Sequence, residues 1–254
     1  MSDVKVNQSD TEKLVRDKIS ELLSFREEDQ DLKEFWGKQF DLGLAWVQFP
    51  EGAGGLGVNP KYQLLVIEEL RKAGISQQNR IANILGIGMG APTIVEFGTK
   101  EQVDRYLRPM FIADEIWCQL FSEPGSGSDL ASLSTRAVDD GDSYILNGQK
   151  VWTTLGHLAK WGLVVTRTDP EVPKHRGLTF FIVDMEGDGV EVRPLRQITG
   201  EAEFNEIYFT DARVPKENLL GEVGDGWRVS LTILMNERVA IGGNVRERGT
   251  GSPG

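Results

Sequence analysis

The sequence predicts an α+β chain of several domains: a helical N-terminal domain, an antiparallel β-domain, and the opening of a further helical segment. Three observations carry that expectation. Apolar residues recur at helical spacing through roughly the first 115 residues. After Ile116 the period shortens to that of strands, with β-branched and aromatic runs set between turn residues. From Trp227 the helical spacing returns. The boundaries fall at 1–116, 117–226 and 227–254.

The elements follow in order. Ser9-x-x-Glu12 is a capping-box pattern ahead of Leu14, Val15, Ile19, Leu22 and Leu23, one apolar face of a first helix. Leu32, Phe35, Trp36 and Phe40 mark a second, which stops near Pro50 and the glycine-rich EGAGGLG. Leu64, Leu65, Ile67 and Leu70 mark a third over 61–71. The apolar stretch 81–97 is unusual for Gly86, Gly88 and Gly90. Thr99-x-x-Gln102 caps a short helix expected to end near Arg108 and Pro109. In the second domain TRAVDDGDSYILNGQKVWTT reads as strands around an Asp-Gly turn. WGLVVTRT, GLTFFIVD and EFNEIYFTDARVP add further strands, and GEVGDGW closes the domain.

The formal charge of −11, from 28 basic and 39 acidic residues, comes without a long basic run. That argues against nucleic acid or an anionic membrane as the main partner. The lone cysteine, Cys118, excludes an intrachain disulfide and reads as a small buried hydrophobe in a reducing compartment. The start has neither an apolar core segment nor an Arg-rich amphipathic pattern, and no stretch nears ~18 apolar residues. A cytoplasmic, soluble protein is expected.

Two motifs point to chemistry. QLFSEPGSGSD joins a strand end to a tight turn, so that backbone amides, Ser122 and Ser128 can converge on one ligand. GQKVWTT sets the plane of Trp152 beside the hydroxyls of Thr153 and Thr154. A flat heteroaromatic ring with a phosphate tail needs this mixture of a packing surface, edge donors and a turn. Taken singly, each residue has a plainer reading: a turn hydroxyl satisfying local backbone, or a core tryptophan.

These motifs, with FPEGAGGLG, YLRPM, FTDARVPKENLLGEVGDGW and LMNERVAIGG in order and spacing, resemble the acyl-CoA dehydrogenase family over nearly the whole chain. The resemblance implies an α+β multidomain fold: an N-terminal all-helical domain, an antiparallel β-barrel-like domain and the first helix of a C-terminal helical bundle. It also implies oxidation of the Cα–Cβ bond of an acyl-CoA thioester to the trans-enoyl-CoA. The cofactor would be FAD, reoxidised by an electron-transferring flavoprotein. By motif position, Gln119, Phe121, Ser122, Ser128, Trp152, Thr153 and Thr154 would contact the cofactor. Ser128, His175, Met235 and Arg238 would lie on the substrate side. The Lys174-His175-Arg176 cluster would meet nucleotide phosphate, or is simply a solvated turn.

Such a reaction needs a base for the α-proton and an oxidant on the opposite face for the Cβ hydride. Glu237 lies among the helical neighbours Ile233, Leu234, Ala240 and Ile241, where desolvation would raise a carboxyl toward a useful range. The alternative is an edge position paired to another helix. A subset of the family, including its isovaleryl-CoA and long-chain enzymes, has its base in a Glu-Arg pair, which Glu237-Arg238 matches; most members use a Glu in a later loop. Gly86, Gly88, Gly90 and Ala91 would leave room for a bulky, branched or ring-bearing acyl group, or else allow close helix packing.

The family continues well over a hundred residues beyond the position of Gly254, into helices that complete the flavin site and build a dimer or tetramer. A fragment of a longer chain and a natural truncation are both open on the sequence. So are an enzyme and a non-catalytic subunit that pairs with a fuller homologue in a homo- or hetero-oligomer. Acyl-CoA oxidases and flavin monooxygenases of the same superfamily are further alternatives.

Overall fold

The computed structural model describes residues 8–198, 200 and 203–244, with side chains as far as residue 238 in the last helix. The helices are α1 (Gln8–Ser24), α2 (Leu32–Asp41), α3 (Tyr62–Lys72), α4 (Gln78–Ala82), a π-helix (Gly86–Gly90), α5 (Ala91–Phe97), α6 (Lys100–Phe111) and α7 (Gly226–Asn244). The strands are β1 (Trp117–Leu120), β2 (Arg136–Asp139), β3 (Ser143–Thr154), β4 (Trp161–Arg167), β5 (Leu178–Asp184), β6 (Val190–Leu195) and β7 (Phe204–Pro215). The described residues divide into two compact units. One runs to Ala82 and includes Val103–Asp114; the other takes Asn83–Gln102 and everything from Glu115.

The first unit is helical because its apolar residues fall on single faces. Val15, Ile19 and Leu22 of α1 are buried, whereas Leu14 stays at the surface. Asp31 caps α2 by accepting the Lys33 amide at 2.9 Å. An aromatic cluster closes the core, with Trp46 stacked on Phe49 at 5.0 Å and edge-on to Phe111 at 5.1 Å. Arg16 donates through Nε and one terminal nitrogen to the Glu12 carboxylate, at 2.9 and 2.8 Å.

The Thr99/Gln102 box is reciprocal: the Gln102 amide donates to Thr99 Oγ1 at 3.2 Å and the Thr99 amide to Gln102 Oε1 at 3.0 Å. The helix it starts does not end at Pro109 but carries it inside and runs to Phe111. The 81–97 stretch is not one helix either. It breaks after α4 and resumes as the π-helix, where the Ala91 amide reaches back five residues to the Gly86 carbonyl.

In the second unit the sheet order is β1-β4-β2-β3-β7-β6, with β5 on the other side of β4. Most pairs are antiparallel as expected, but β4 runs parallel to β1 and meets β2 through one parallel pair. The sheet is therefore mixed. Parallel neighbours need a long connection, and here β2 and β3 supply it between β1 and β4. Strand β6 alternates only over Val190–Arg193, and Pro194 then breaks the pattern, so the run is too short to stand out in the sequence. Leu120, Leu146, Phe181, Ile207, Phe209 and Val214 form the core. Cys118 sits beside them, fully buried, and burial pushes its thiol up, out of the reactive range.

Candidate functional site

Register errors place the most informative side chain. β3 and β7 pair as far as Lys150↔Ile207, then resume at Thr153↔Asn205. Two residues, Val151 and Trp152, thus oppose one, which is a β-bulge. Trp152 takes φ +60° there, a left-handed conformation that costs an L-residue roughly 1–2 kcal/mol. Its ring is 64% exposed, braced only edge-on by Phe204 at 6.1 Å. Strained backbone that throws a large aromatic ring into the open makes Trp152 a candidate binding surface.

The neighbouring hydroxyls separate. Thr154 is half-buried at the end of β3, while the Thr153 side chain is 1% exposed. The Thr153 hydroxyl and the Asn205 side-chain amide oxygen, on cross-strand partners, are buried without a hydrogen-bond partner among the described residues. Asn205 also donates to the Thr153 carbonyl at 2.9 Å, holding the strand just beyond the bulge.

The two motifs meet through contacts that sequence reasoning missed. Lys150 is fully buried and donates to Glu123 Oε1 at 2.9 Å and to the Phe121 carbonyl at 3.1 Å. The Glu123 carboxylate also accepts the Ser134 amide at 2.6 Å, the Ser134 hydroxyl at 2.8 Å and the Thr135 amide at 2.9 Å. The Val151 amide bonds the Ser122 carbonyl at 2.8 Å. Ser122, half-buried in the segment after β1, is thereby held against the bulge of β3 that carries Trp152. Phe121 is buried edge-on to Phe180, and Gln119 lies half-buried in β1 opposite Leu163. Burial pushes the Glu123 carboxyl up, but the Lys150 charge and these donors outweigh it and hold the group down at about 2. Burial pulls the Lys150 ammonium down to about 8, against the opposing charge and hydrogen bond of Glu123. Sequence alone offers a lysine inside a strand motif, with nothing to say which face of the sheet it takes.

Ser128 is exposed in the turn. Beside it Asp129 is bridged at 2.8 Å by Lys174, which ties the 169–177 loop to this turn. Arg167 reinforces the join, donating to the carbonyls of Ala131, Leu133 and Lys174. His175 packs edge-on against Trp227 at 4.6 Å, at the start of α7.

That helix is seated closely. A Cβ on Gly226 would lie 2.6 Å from the Thr179 nitrogen and 2.7 Å from the Leu178 carbonyl carbon, so only glycine lets α7 rest on β5. Gly226→Ala should destabilise the second unit by about 1–3 kcal/mol, visible as a lower urea midpoint. Along α7, Gly226, Ser230 and Ile233 are buried, and Glu237 continues this stripe as a half-buried residue. The helix packs on the π-helix, α5 and β5. Met235 is 67% exposed and Arg238 is exposed on other faces. Of the apolar neighbours expected around Glu237, the side chains of Ala240 and Ile241 lie outside the described residues.

The residue set fits a flavin: an open aromatic side chain at Trp152, half-buried hydroxyl residues at Ser122 and Thr154, and a turn closed by paired Glu123 and Ser126 backbone bonds. Among the described residues no cluster of His, Cys, Asp or Glu could hold a metal, and no helix is long and apolar enough to cross a membrane.

Comparison with known proteins gives two family matches. Residues 5–113 match the acyl-CoA dehydrogenase N-terminal domain and residues 118–212 its middle domain. The acyl-CoA dehydrogenase FadE34 of Mycobacterium tuberculosis is 48% identical over 202 residues, 79% of this chain and 28% of that protein. Among solved structures, the Tcur3481-Tcur3483 steroid ACAD aligns with TM-score 0.66 and 28% identity, over 92% of this chain and 63% of its own. The ChsE4-ChsE5 complex of Mycobacterium tuberculosis aligns with TM-score 0.64 and 30% identity, over 92% and 61%. The chain spans about half or less of the length of the curated relatives it matches.

Proposed function

The chain belongs to the acyl-CoA dehydrogenase family, and from that premise we propose that it serves FAD-dependent α,β-dehydrogenation of an acyl-CoA thioester to the trans-2-enoyl-CoA. The observation that carries this reading is the exposed, left-handed Trp152, whose neighbours Lys150 and Val151 bond Glu123 and Ser122 of the SEPGSGSD segment. FAD, when bound, supplies the acceptor for the Cβ hydride. Trp152 provides the surface on which its ring rests, and the Ser122 and Thr154 hydroxyls donate to the ring edge. Glu237 takes the α-proton, and its half-buried setting on the docked face of α7 limits competition from water. Ser128, His175, Met235 and Arg238 serve the CoA side.

For the substrate we favour a ring-bearing acyl group. Two observations support it: the glycine-rich π-helix that packs on α7, and the likeness to a steroid ACAD. An electron-transfer flavoprotein is the proposed electron acceptor, and the cytoplasm the proposed location. The likeness to the ChsE4-ChsE5 complex favours assembly with a second chain, as a catalytic or a partner-dependent subunit. The direct test is the visible spectrum: purified protein, alone or with its partner, should carry a flavin band that bleaches anaerobically on adding a ring-bearing acyl-CoA. An unbleached band would reject the reaction.

Trp152 gives an independent check. Trp152→Gly should relieve the left-handed strain, so thermal stability should hold or rise. Flavin affinity should nevertheless fall, as read by titration with FAD.

A further inference from the structure

We infer that the buried Glu123–Lys150 pair is the positioning device of the flavin cradle, setting the bulge that aims Trp152; this rests on the flavoprotein reading above. The pair sits between the two halves of the candidate site. Lys150 is the last residue of β3 in register with β7 before the bulge, and Trp152 follows two positions later. Its ammonium reaches the carbonyl of Phe121 and the carboxylate of Glu123, which flank Ser122 on both sides. The Ser122 carbonyl in turn holds the Val151 amide, inside the bulge. Glu123 carries the same constraint outward by accepting the Ser134 and Thr135 amides. Phe121, Ser122 and Glu123 are thus each bonded to Lys150 or Val151, just ahead of Trp152.

A fold could be stabilised at this place with less charge. Replacing a buried ion pair by apolar or neutral groups of similar volume is often neutral or stabilising, whereas removing one partner is costly. What an apolar pair cannot do is donate to two separate acceptors from one point, as the Lys150 ammonium does. The retained charge thus serves geometry, with Glu123 and Lys150 as positioning residues.

The test uses the full chain with 5-fluorotryptophan in place of tryptophan, the Trp152 fluorine resonance being assigned with Trp152→Phe. Glu123→Gln, Lys150→Met and the double variant are compared by melting temperature, by that resonance in flavin-free protein, and by FAD affinity. The single variants should melt lower. The double variant should melt near wild type, yet keep a displaced or broadened Trp152 signal, with Trp36 and Trp46 signals unchanged. Its FAD affinity should remain at least about tenfold weaker, roughly 1.4 kcal/mol. A double variant with a wild-type Trp152 signal overturns the proposal and leaves the pair a stabilising contact only. A wild type that binds no FAD, alone or with its partner, overturns the flavin role, while the displaced signal alone would still uphold the aiming of Trp152.

Discussion

Lys150→Met should destabilise the second unit by about 3–5 kcal/mol, because it strands the Glu123 carboxylate in the interior without its counter-charge. No surface ion pair in the chain should approach this. Lys174–Asp129 and Arg213–Asp140 are half-exposed, and pairs of that kind contribute about 0–1 kcal/mol. The measurement is a urea or thermal midpoint, monitored on a signal from the β-domain. The pair also sets an acid limit. The Glu123 carboxyl is held at about 2 against an ordinary value of 4.5, so the folded state binds its proton less readily than the unfolded chain. The stability it lends is complete above the ordinary carboxylate range and is lost as pH falls toward 2. In Glu123→Gln the part of the acid sensitivity due to this group should vanish. A wild-type pH profile in that variant would show that the carboxylate does not carry it.

Glu237→Gln should lower turnover of a ring-bearing acyl-CoA by about 10²–10⁴-fold while flavin content and melting temperature stay unchanged. The amide keeps the size and hydrogen-bonding reach of the side chain but cannot take a proton. The half-buried setting on α7 supports the choice of this variant, since no hydrogen bond or ion pair of Glu237 within the described residues would be broken with it. Turnover with an artificial electron acceptor, together with substrate binding by spectral shift, separates loss of chemistry from loss of affinity. Substantial residual turnover would move the base to the helices that follow in longer family members.

Much of this was legible in the chain itself, for identifiable reasons. Strands β4 and β5 are almost wholly apolar and bounded by polar turns, so their period and ends show. The Thr99/Gln102 box announced α6 because both partners lie within four residues. What stayed hidden depends on distant pairing. The parallel contact of β1 with β4 joins segments some forty residues apart, and no local pattern encodes it. Glu123 and Lys150 stood in plain view inside the two motifs, but a surface lysine and an inward one look alike until register is known. Trp152 was singled out from sequence as an aromatic plane, whereas its left-handed backbone arises only from the bulge against β7.

The π-helix at Gly86–Gly90 can be put as a matter of counting. A π-turn spends one residue more than an α-turn over the same span, so the segment behaves as an α-helix with a single residue inserted. Removing one of its glycines would restore the α count over that span and leave Ala91 and Ile94 in phase, both buried in α5 as now. What the surplus residue adds is a local bulge in the helical wall that packs on α7. A relative with one glycine fewer here would keep the wall and lose the bulge.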